Sequence, residues 1–275
     1  MSAGQPESAE PGPAGNVPAV ADISAGLPAA ASALLRPLLT GARRAGRVLA
    51  VFPTAVYLAV EGEVVAVVTS DGLRLPGSLV VAASSGTCPF AAVRVGDRAM
   101  VGSGAVQAGV LRLVVRRWWR PAEPVRRGSP AQWSASAETV GRLLPPVPAP
   151  LPADLVSTAP GDLLGLGPGL TPAGDDVLAG MLVTPQLARS PELLAVVPAA
   201  ATRTTALSAT LLRHASLGYA VPPLVRLLDA MSGTTTTGIG RAVDDLLAVG
   251  HTSGAALAHG VVTAVRAGTS AQKVA

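Results

Sequence analysis

The spacing of apolar residues changes along this chain from a period of two to a period of about 3.6. Between residues 47 and 118, short β-branched runs alternate with turn residues, and no helical pattern separates them. This pattern predicts an antiparallel β sheet or a small barrel, with Glu61–Gly62 as a hairpin turn. The strands are expected at 47–52, 55–60, 63–70, 78–83, 91–95 and 110–118.

Beyond residue 170 the apolar residues recur at helical spacing, and Gly218, Gly233 and Gly250 stand where glycine commonly ends a helix. The predicted fold class is therefore α+β: an N-terminal antiparallel β sheet or small barrel followed by a C-terminal helical region. Helices are expected at 29–46 (interrupted at Pro37), 131–144, 172–184, 191–217 (broken near Pro198), 221–231, 238–249 and 253–267.

Changes in composition suggest four segments along the chain. Residues 1–27 are rich in Ala, Pro, Gly and Ser and are expected to be a disordered tail. A mainly β domain follows at 28–120, then a proline-rich linker at 121–160 with room for one short helix. A helical domain at 161–275 carries a glycine-rich motif.

Composition and charge narrow the class of protein. The 275 residues are 49% hydrophobic, but no run approaches the roughly 20 apolar residues of a membrane span. The first residues, "MSAGQPESAEPGP", are acidic where a signal peptide needs a basic start, and the single Cys88 excludes an internal disulfide. A cytoplasmic protein without a membrane partner is expected.

A net charge of +4 is mild for a nucleic-acid-binding protein of this length, so nucleic acid is the least favoured partner. One basic cluster occurs within residues 111–128, around two tryptophans. Such a run is usually a solvated surface, although arginine forks also suit carboxylates, phosphates or a protein partner. The cluster consists of Arg112, Arg116, Arg117, Trp118, Trp119, Arg120, Arg126 and Arg127.

The stretch "GLGPGLTPAGDD" at 165–176 stands out by its composition. One interpretation is the start of a helix, with Thr171 as N-cap and Pro172 as the first helical residue. Asp175 and Asp176 would then lie in the first turns, where the helix dipole favours carboxylates. This interpretation leaves the glycines Gly165, Gly167, Gly169 and Gly174 without an explanation.

The second interpretation of the same stretch is a binding site. Free N–H groups of a glycine-rich turn at a helix N-terminus hold phosphate or carboxylate. The candidate substrate-binding residues of this loop are Gly165, Gly167, Gly169, Thr171 and Gly174. Asp175 and Asp176 could bind Mg²⁺ or act as a general base. Two carboxylates repel an anion, so this interpretation needs a bridging cation or a protonated group.

Two later segments add candidate binding residues. Thr204 and Ser208 share one face of a predicted helix, where they either satisfy backbone carbonyls or contact a ligand. His214 lies on another part of that helix. A second turn leads into the last helix, and its candidates are His251, Thr252, Ser253 and Gly254.

With these segments, the chain resembles a bacterial family that includes the smallest subunit of the oxamate carbamoyltransferase of allantoin catabolism. The family signature matches "GLGPGLTPAGDDVLAG" (165–180), and "TTALSATLLRHASLG" and "GHTSGAALAHG" resemble its later blocks. "RVLAVFPTAVYLAVEGEVVAVV" resembles its first strands, so that the likeness spans roughly 28–267. The last block of the family often has an aspartate where this chain has Ala255 or Ala256.

The resemblance implies a subunit that helps convert carbamoyl phosphate and oxamate into oxalurate and phosphate, with two larger subunits as partners. In that function the glycine loop would bind a small anion such as phosphate, carbamoyl phosphate or oxamate. Two alternatives stay open. The chain could be a non-catalytic subunit that binds partners, or a stand-alone protein that acts on another carbamoyl or ureido compound.

Overall fold

A computed structural model of the chain describes residues 26–124, 127–233 and 238–274. It confirms the α+β class, with a small β barrel in the N-terminal part and helices in the C-terminal part. The predicted disordered tail, 1–27, lies almost wholly outside the described residues. Arg126 of the basic cluster also lies outside them.

Eight strands form a closed barrel in the order β1-β5-β4-β3-β2-β6-β7-β8. The barrel is mixed and not antiparallel throughout as predicted, because β1 runs parallel to β8 and β4 runs parallel to β5, while the other neighbours are antiparallel. The strands are β1 Leu27–Ser32, β2 Arg44–Phe52, β3 Ala55–Val60, β4 Glu63–Val68, β5 Ser78–Val81, β6 Arg98–Gly102, β7 Ala105–Ala108 and β8 Leu111–Trp119.

The helix predicted at 29–46 is wrong in most of its length. Its first residues form β1, which closes the barrel between β5 and β8, and its last residues begin β2. Only a 3-10 turn at Ala33–Leu35 and the short helix α1 (Arg36–Thr40) remain between them. Strand pairing on both sides of β1 outweighs the helix propensity of its alanines.

The strand predicted at 91–95 is also wrong, since this segment forms turns around the buried Val93. The hairpin of β6 and β7 that follows was not predicted from the sequence. Its turn residues Ser103 and Gly104 have φ angles of 50° and 74°, as a tight two-residue hairpin turn requires. The Glu61–Gly62 turn between β3 and β4 is confirmed, with φ angles of 48° and 80°.

Nine helices follow the barrel in the described part of the chain. The predicted helix 191–217 is three helices, and Pro198 lies in the first turn of one of them, where a missing N–H costs little. None of the described helices has the length and apolarity to cross a membrane. They are α2 Pro130–Leu143, α3 Pro160–Leu163, α4 Ala173–Val183, α5 Pro191–Leu194, α6 Val196–Arg203, α7 Ala206–Ser216, α8 Pro222–Met231, α9 Ile239–Leu247 and α10 Ser253–Val274.

Strand β4 belongs to both hydrophobic cores. Val65 and Val67 pack in the barrel core, whereas Val64, Ala66 and Val68 pack in the core of the helices. A strand buried on both faces reads as a continuous apolar run, which explains "EVVAVV". The helical region therefore packs directly on the outer face of the barrel at β4.

Helix α7 makes the polar contacts of this junction. The Thr210 hydroxyl accepts a hydrogen bond from the Val64 N–H at 3.0 Å and donates to the Ala206 carbonyl at 2.9 Å. His214 packs against Gly77, where a Cβ would come within 2.6 Å of the imidazole Cε1. Burial lowers the pKa of His214 to about 4, so its ring is neutral at physiological pH.

Candidate functional site

The glycine loop before α4 is held in a conformation that favours glycine. Gly165, Gly167 and Gly169 have φ angles of 78°, 119° and 95°. A Cβ on Gly165 would lie 2.3 Å from the Arg203 carbonyl oxygen. A Cβ on Gly169 would meet nothing within 4 Å, so only its backbone angle calls for glycine.

Helix α4 begins one residue later than predicted. Pro172 is the N-cap residue, and Thr171 makes no capping hydrogen bond because its hydroxyl pairs with the Ser253 hydroxyl at 3.2 Å. N–H groups at the start of α4 already have acceptors within the protein. The Gly174 N–H, for example, donates to the Leu166 carbonyl oxygen at 2.8 Å. A Cβ on Gly174 would lie 1.9 Å from the Leu163 carbonyl oxygen, so close backbone packing explains this glycine.

Asp175 fastens the glycine loop to α4 and to the α6–α7 junction. Its Oδ1 accepts a hydrogen bond from the Gly165 N–H at 2.7 Å. Its Oδ2 accepts a second hydrogen bond from the hydroxyl of Thr204. Thr204 is the C-cap residue of α6 and has an extended backbone. Both oxygens of this buried carboxyl are therefore engaged by the protein itself.

Asp176 is different, although it is the next residue. Its side chain is 6% exposed, and its Oδ2 has no hydrogen-bond partner. Burial raises the pKa of Asp176 to about 8, and the neighbouring charge of Asp175 adds to this shift, while the Ser253 hydroxyl opposes it. Asp176 is therefore mainly a neutral carboxylic acid at pH 7.

Asp176 is one of the residues that line a cavity of about 200 Å³. The cavity lies between the barrel and the helical region. Residues of β3, of the loop after β4, and of α4, α7, α8 and α10 form its walls. Ser208 of α7 also lines it, and its buried hydroxyl has no partner either.

The cavity brings part of the predicted site together. Thr171, Asp175, Asp176, Ser208 and Ser253 line it. The remaining predicted residues are not in its lining: Gly165, Gly167, Gly169, Gly174, Thr204, His251, Thr252 and Gly254.

Three of those remaining residues have positions that suggest other roles. His251 is exposed in the turn before α10. The carbonyl oxygen of Thr252 accepts a hydrogen bond from the Ala256 N–H at 3.0 Å. Gly254 allows α9 and α10 to approach, because a Cβ there would lie 1.9 Å from the Leu246 carbonyl oxygen.

The barrel side of the cavity and the capping residue Thr205 were not predicted from the sequence. Tyr57, Leu73 and Leu75 line the cavity from the barrel, and Tyr219 lines it from the helices. The rarity of tyrosine was an available signal, since both tyrosines of the chain face this cavity. Thr205, also missed, caps α7 at the Ser208 N–H and donates to the Leu170 carbonyl at 2.5 Å.

The described residues contain no group of three or more His, Cys, Asp and Glu side chains that could hold a metal ion. Mg²⁺ at Asp175 and Asp176 would need most of its oxygen ligands from substrate and water. None of the residues lining the cavity, all of them in the described ranges, is cationic.

Most of the basic cluster lies on β8, near the strand predicted at 110–118. Arg112, Arg116 and Arg117 are exposed along this strand. The guanidinium carbon of Arg36 lies 4.3 Å from the centroid of the Trp118 ring, a cation–π contact.

Comparison with known proteins bears on the helical half of the chain. The family model described as oxamate carbamoyltransferase subunit AllH matches residues 163–265. This segment includes the glycine loop and every helical wall of the cavity, but not the barrel residues. No solved structure matches the chain. Residues 163–265, the helical part of the chain that carries the glycine loop, are therefore similar to the oxamate carbamoyltransferase subunit AllH.

Proposed function

We propose that this chain is a subunit of an oxamate-type carbamoyltransferase, or a relative of one. In that reaction the amide nitrogen of oxamate bonds to the carbamoyl carbon of carbamoyl phosphate. The bond from that carbon to the phosphate oxygen breaks, and the proton lost from nitrogen passes to the departing phosphate. The match of residues 163–265 to the family model of subunit AllH supports this proposal.

The buried carboxyl of Asp176, whose Oδ2 has no hydrogen-bond partner, is the observation that supports a reaction site at the cavity. An uncharged acid can donate its O–H to a substrate carbonyl, and this donation grows in strength as negative charge develops on that oxygen. Because the pKa of Asp176 is raised to about 8, this donor is present at neutral pH. It also removes the repulsion that two ionised aspartates would impose on an anionic substrate.

The glycine loop supplies a separate binding role in this proposal. The Gly165 N–H is engaged by Asp175, so the N–H groups offered to a small anion are those of Gly167 and Gly169. Gly169 is exposed, and the space around its Cα is open. We propose that this part of the loop binds phosphate or a substrate carboxylate, as glycine-rich turns do elsewhere.

One observation favours the alternative of a partner-binding role. Three exposed arginines lie on β8, far in sequence from the cavity-lining helices: Arg112, Arg116 and Arg117. Exposed arginines suit an acidic surface on another protein chain. A subunit can carry both functions, so we keep two larger carbamoyltransferase subunits as proposed partners.

The test is activity of the enzyme reconstituted from this chain and its partner subunits. Asp176→Ala removes the donor and is expected to lower kcat/KM about 100-fold, the usual effect of losing one such donor. Asp176→Asn keeps an N–H donor and is expected to retain part of the activity.

Asp244→Asn, an exposed change on α9, is the matched control and should leave kcat/KM unchanged. Circular dichroism of each variant establishes that it is folded. Full activity of a folded Asp176→Ala complex would show that the cavity takes no part in the reaction.

A further inference from the structure

The cavity at Asp176 is larger and more apolar than a two-carbon polar substrate requires. Aliphatic side chains form most of its walls. Leu75 lies on the barrel side, and the helices contribute Val183, Leu211, Leu212 and Leu224, among others. Oxamate presents polar atoms on nearly all of its surface. Each one buried against an aliphatic wall without a partner would cost roughly 1–3 kcal/mol.

The polar groups of the cavity belong to a limited part of its lining. Asp176 and Ser208 are 6% and 2% exposed, and each has a side-chain oxygen without a partner. Buried polar atoms normally have partners, so two unpartnered atoms on residues that line one cavity are available to a polar group of a ligand. Thr171 and Ser253, already hydrogen-bonded to each other, add hydroxyls to the same lining.

The charge of the lining limits the chemistry of that ligand group. No cationic side chain lines the cavity, and burying an ionised carboxylate or phosphate without a counter-charge is strongly unfavourable. An uncharged group with both a donor and an acceptor fits instead. A terminal carbamoyl group, CO–NH₂, has this property: its carbonyl accepts from a carboxylic acid O–H while its N–H donates to the acid carbonyl.

The volume sets the size of the remainder of the ligand. An aliphatic cavity of about 150 Å³ holds one benzene molecule, with six carbon atoms. On that scale a cavity of about 200 Å³ holds about eight non-hydrogen atoms. After the carbamoyl group, room remains for a body of about four to six carbon atoms against the aliphatic walls.

We infer that this cavity binds an uncharged compound with a terminal carbamoyl group on a short aliphatic body, an alkylurea or alkyl amide. The inference rests on the proposed function, because a ureido compound is the product of carbamoyl transfer to a nitrogen. It goes beyond oxamate in naming an aliphatic substrate class. The barrel wall of Tyr57, Leu73, Leu75 and Pro76, outside the matched segment 163–265, contacts the aliphatic body.

The test is isothermal titration of the full chain with three probes: n-butylurea, pentanoate and oxamate. n-Butylurea has the uncharged head and an aliphatic body, pentanoate has the same body with a charged head, and oxamate lacks the body. We expect n-butylurea to bind at least tenfold more tightly than either of the others. Equal binding of pentanoate, equal binding of oxamate, or no binding of n-butylurea would each overturn the inference.

A pair of alanine variants locates the binding. Ala179 lines the cavity on α4, and Ala179→Leu is expected to weaken n-butylurea binding at least tenfold by filling the space of the body. Ala201→Leu adds the same atoms on the exposed side of α6, outside the lining, and should leave the affinity unchanged. Unchanged affinity in a folded Ala179→Leu variant would place the ligand elsewhere and overturn the inference.

The outcome is distinguishable from failure of the proposed function. If n-butylurea binds as expected but Asp176→Ala keeps full carbamoyltransferase activity, the proposed function fails and the ligand class stands. If Asp176→Ala loses activity but n-butylurea does not bind, the ligand class is wrong and the proposed function stands.

Discussion

At the residue scale, the two adjacent aspartates of the glycine motif have different tasks. Asp175 accepts hydrogen bonds from the Gly165 N–H and the Thr204 hydroxyl, so it orders the loop. Asp176 lines the cavity and has an unpartnered Oδ2. A buried carboxyl without a counter-charge is held neutral, which costs stability wherever the unfolded chain would ionise it.

Asp176 is therefore expected to make the stability depend on pH. Its pKa is about 8 in the folded chain, whereas an ordinary aspartate has a pKa of 3.8. Between these values the folded state binds the extra proton, so the free energy of unfolding falls as pH rises. Asp176→Asn removes this dependence, and its stability relative to wild type should rise by about 2–3 kcal/mol from pH 5 to pH 7.

Urea unfolding of the two proteins at both pH values measures this difference. Asp244→Asn replaces an exposed carboxyl and should follow wild type at both pH values. If the difference between Asp176→Asn and wild type is the same at pH 5 and pH 7, Asp176 is not held neutral in the folded chain.

At the element scale, glycines set how closely helix α4 packs. A Cβ on Gly180 would lie 2.2 Å from the Leu257 carbonyl oxygen of α10, and one on Gly260 would lie 2.1 Å from the Val177 carbonyl oxygen of α4. The two helix backbones therefore touch at these residues. This contact fixes the position of α4 and therefore the position of Asp176 in the wall of the cavity.

Gly180→Ala is accordingly expected to destabilise the protein. The added methyl group cannot fit against a backbone carbonyl, and overpacking of this kind typically costs 1–3 kcal/mol. Gly240 in α9 is the matched control, since a Cβ there would meet nothing within 4 Å. Gly240→Ala should raise stability by about 0.4–1 kcal/mol. Thermal unfolding compares them, and a Gly180→Ala protein as stable as wild type would refute the close contact.

At the scale of the whole molecule, barrel and helices share strand β4 and enclose the cavity between them. The outer face of β4 lies in the helical core, and the Val64 N–H donates to Thr210 of α7. Neither part covers its apolar surface without the other. We therefore expect one cooperative unfolding transition.

Thr210→Val tests this junction. It leaves the buried Val64 N–H without an acceptor and should cost about 1–3 kcal/mol. Thr210→Ser keeps a hydroxyl and should lose much less. Far-ultraviolet circular dichroism follows the helices, and fluorescence of Trp118 and Trp119 on β8 contributes a barrel signal. Two separate transitions in wild type would show that the parts fold independently.

The sequence was most informative where local chemistry decides the structure. Glu61–Gly62 predicted its hairpin, the helix ends at Gly218 and Gly233 were confirmed by positive φ angles, and α2 and α4 lie where periodicity placed them. It failed at residues 29–46 and 91–95, because pairing with distant strands and burial at turns have no local signature.

In the candidate site too, some features follow from local sequence signals and others from contacts between distant parts of the chain. The sequence by itself determined that a glycine loop leads into a helix with two aspartates in its first turns, because turn and helix signals are local. Only the tertiary structure decided which aspartate is engaged and which is free. Those states depend on Thr204, Ser208, Ser253 and Tyr57, whose approach to α4 is set by packing between elements far apart in the chain.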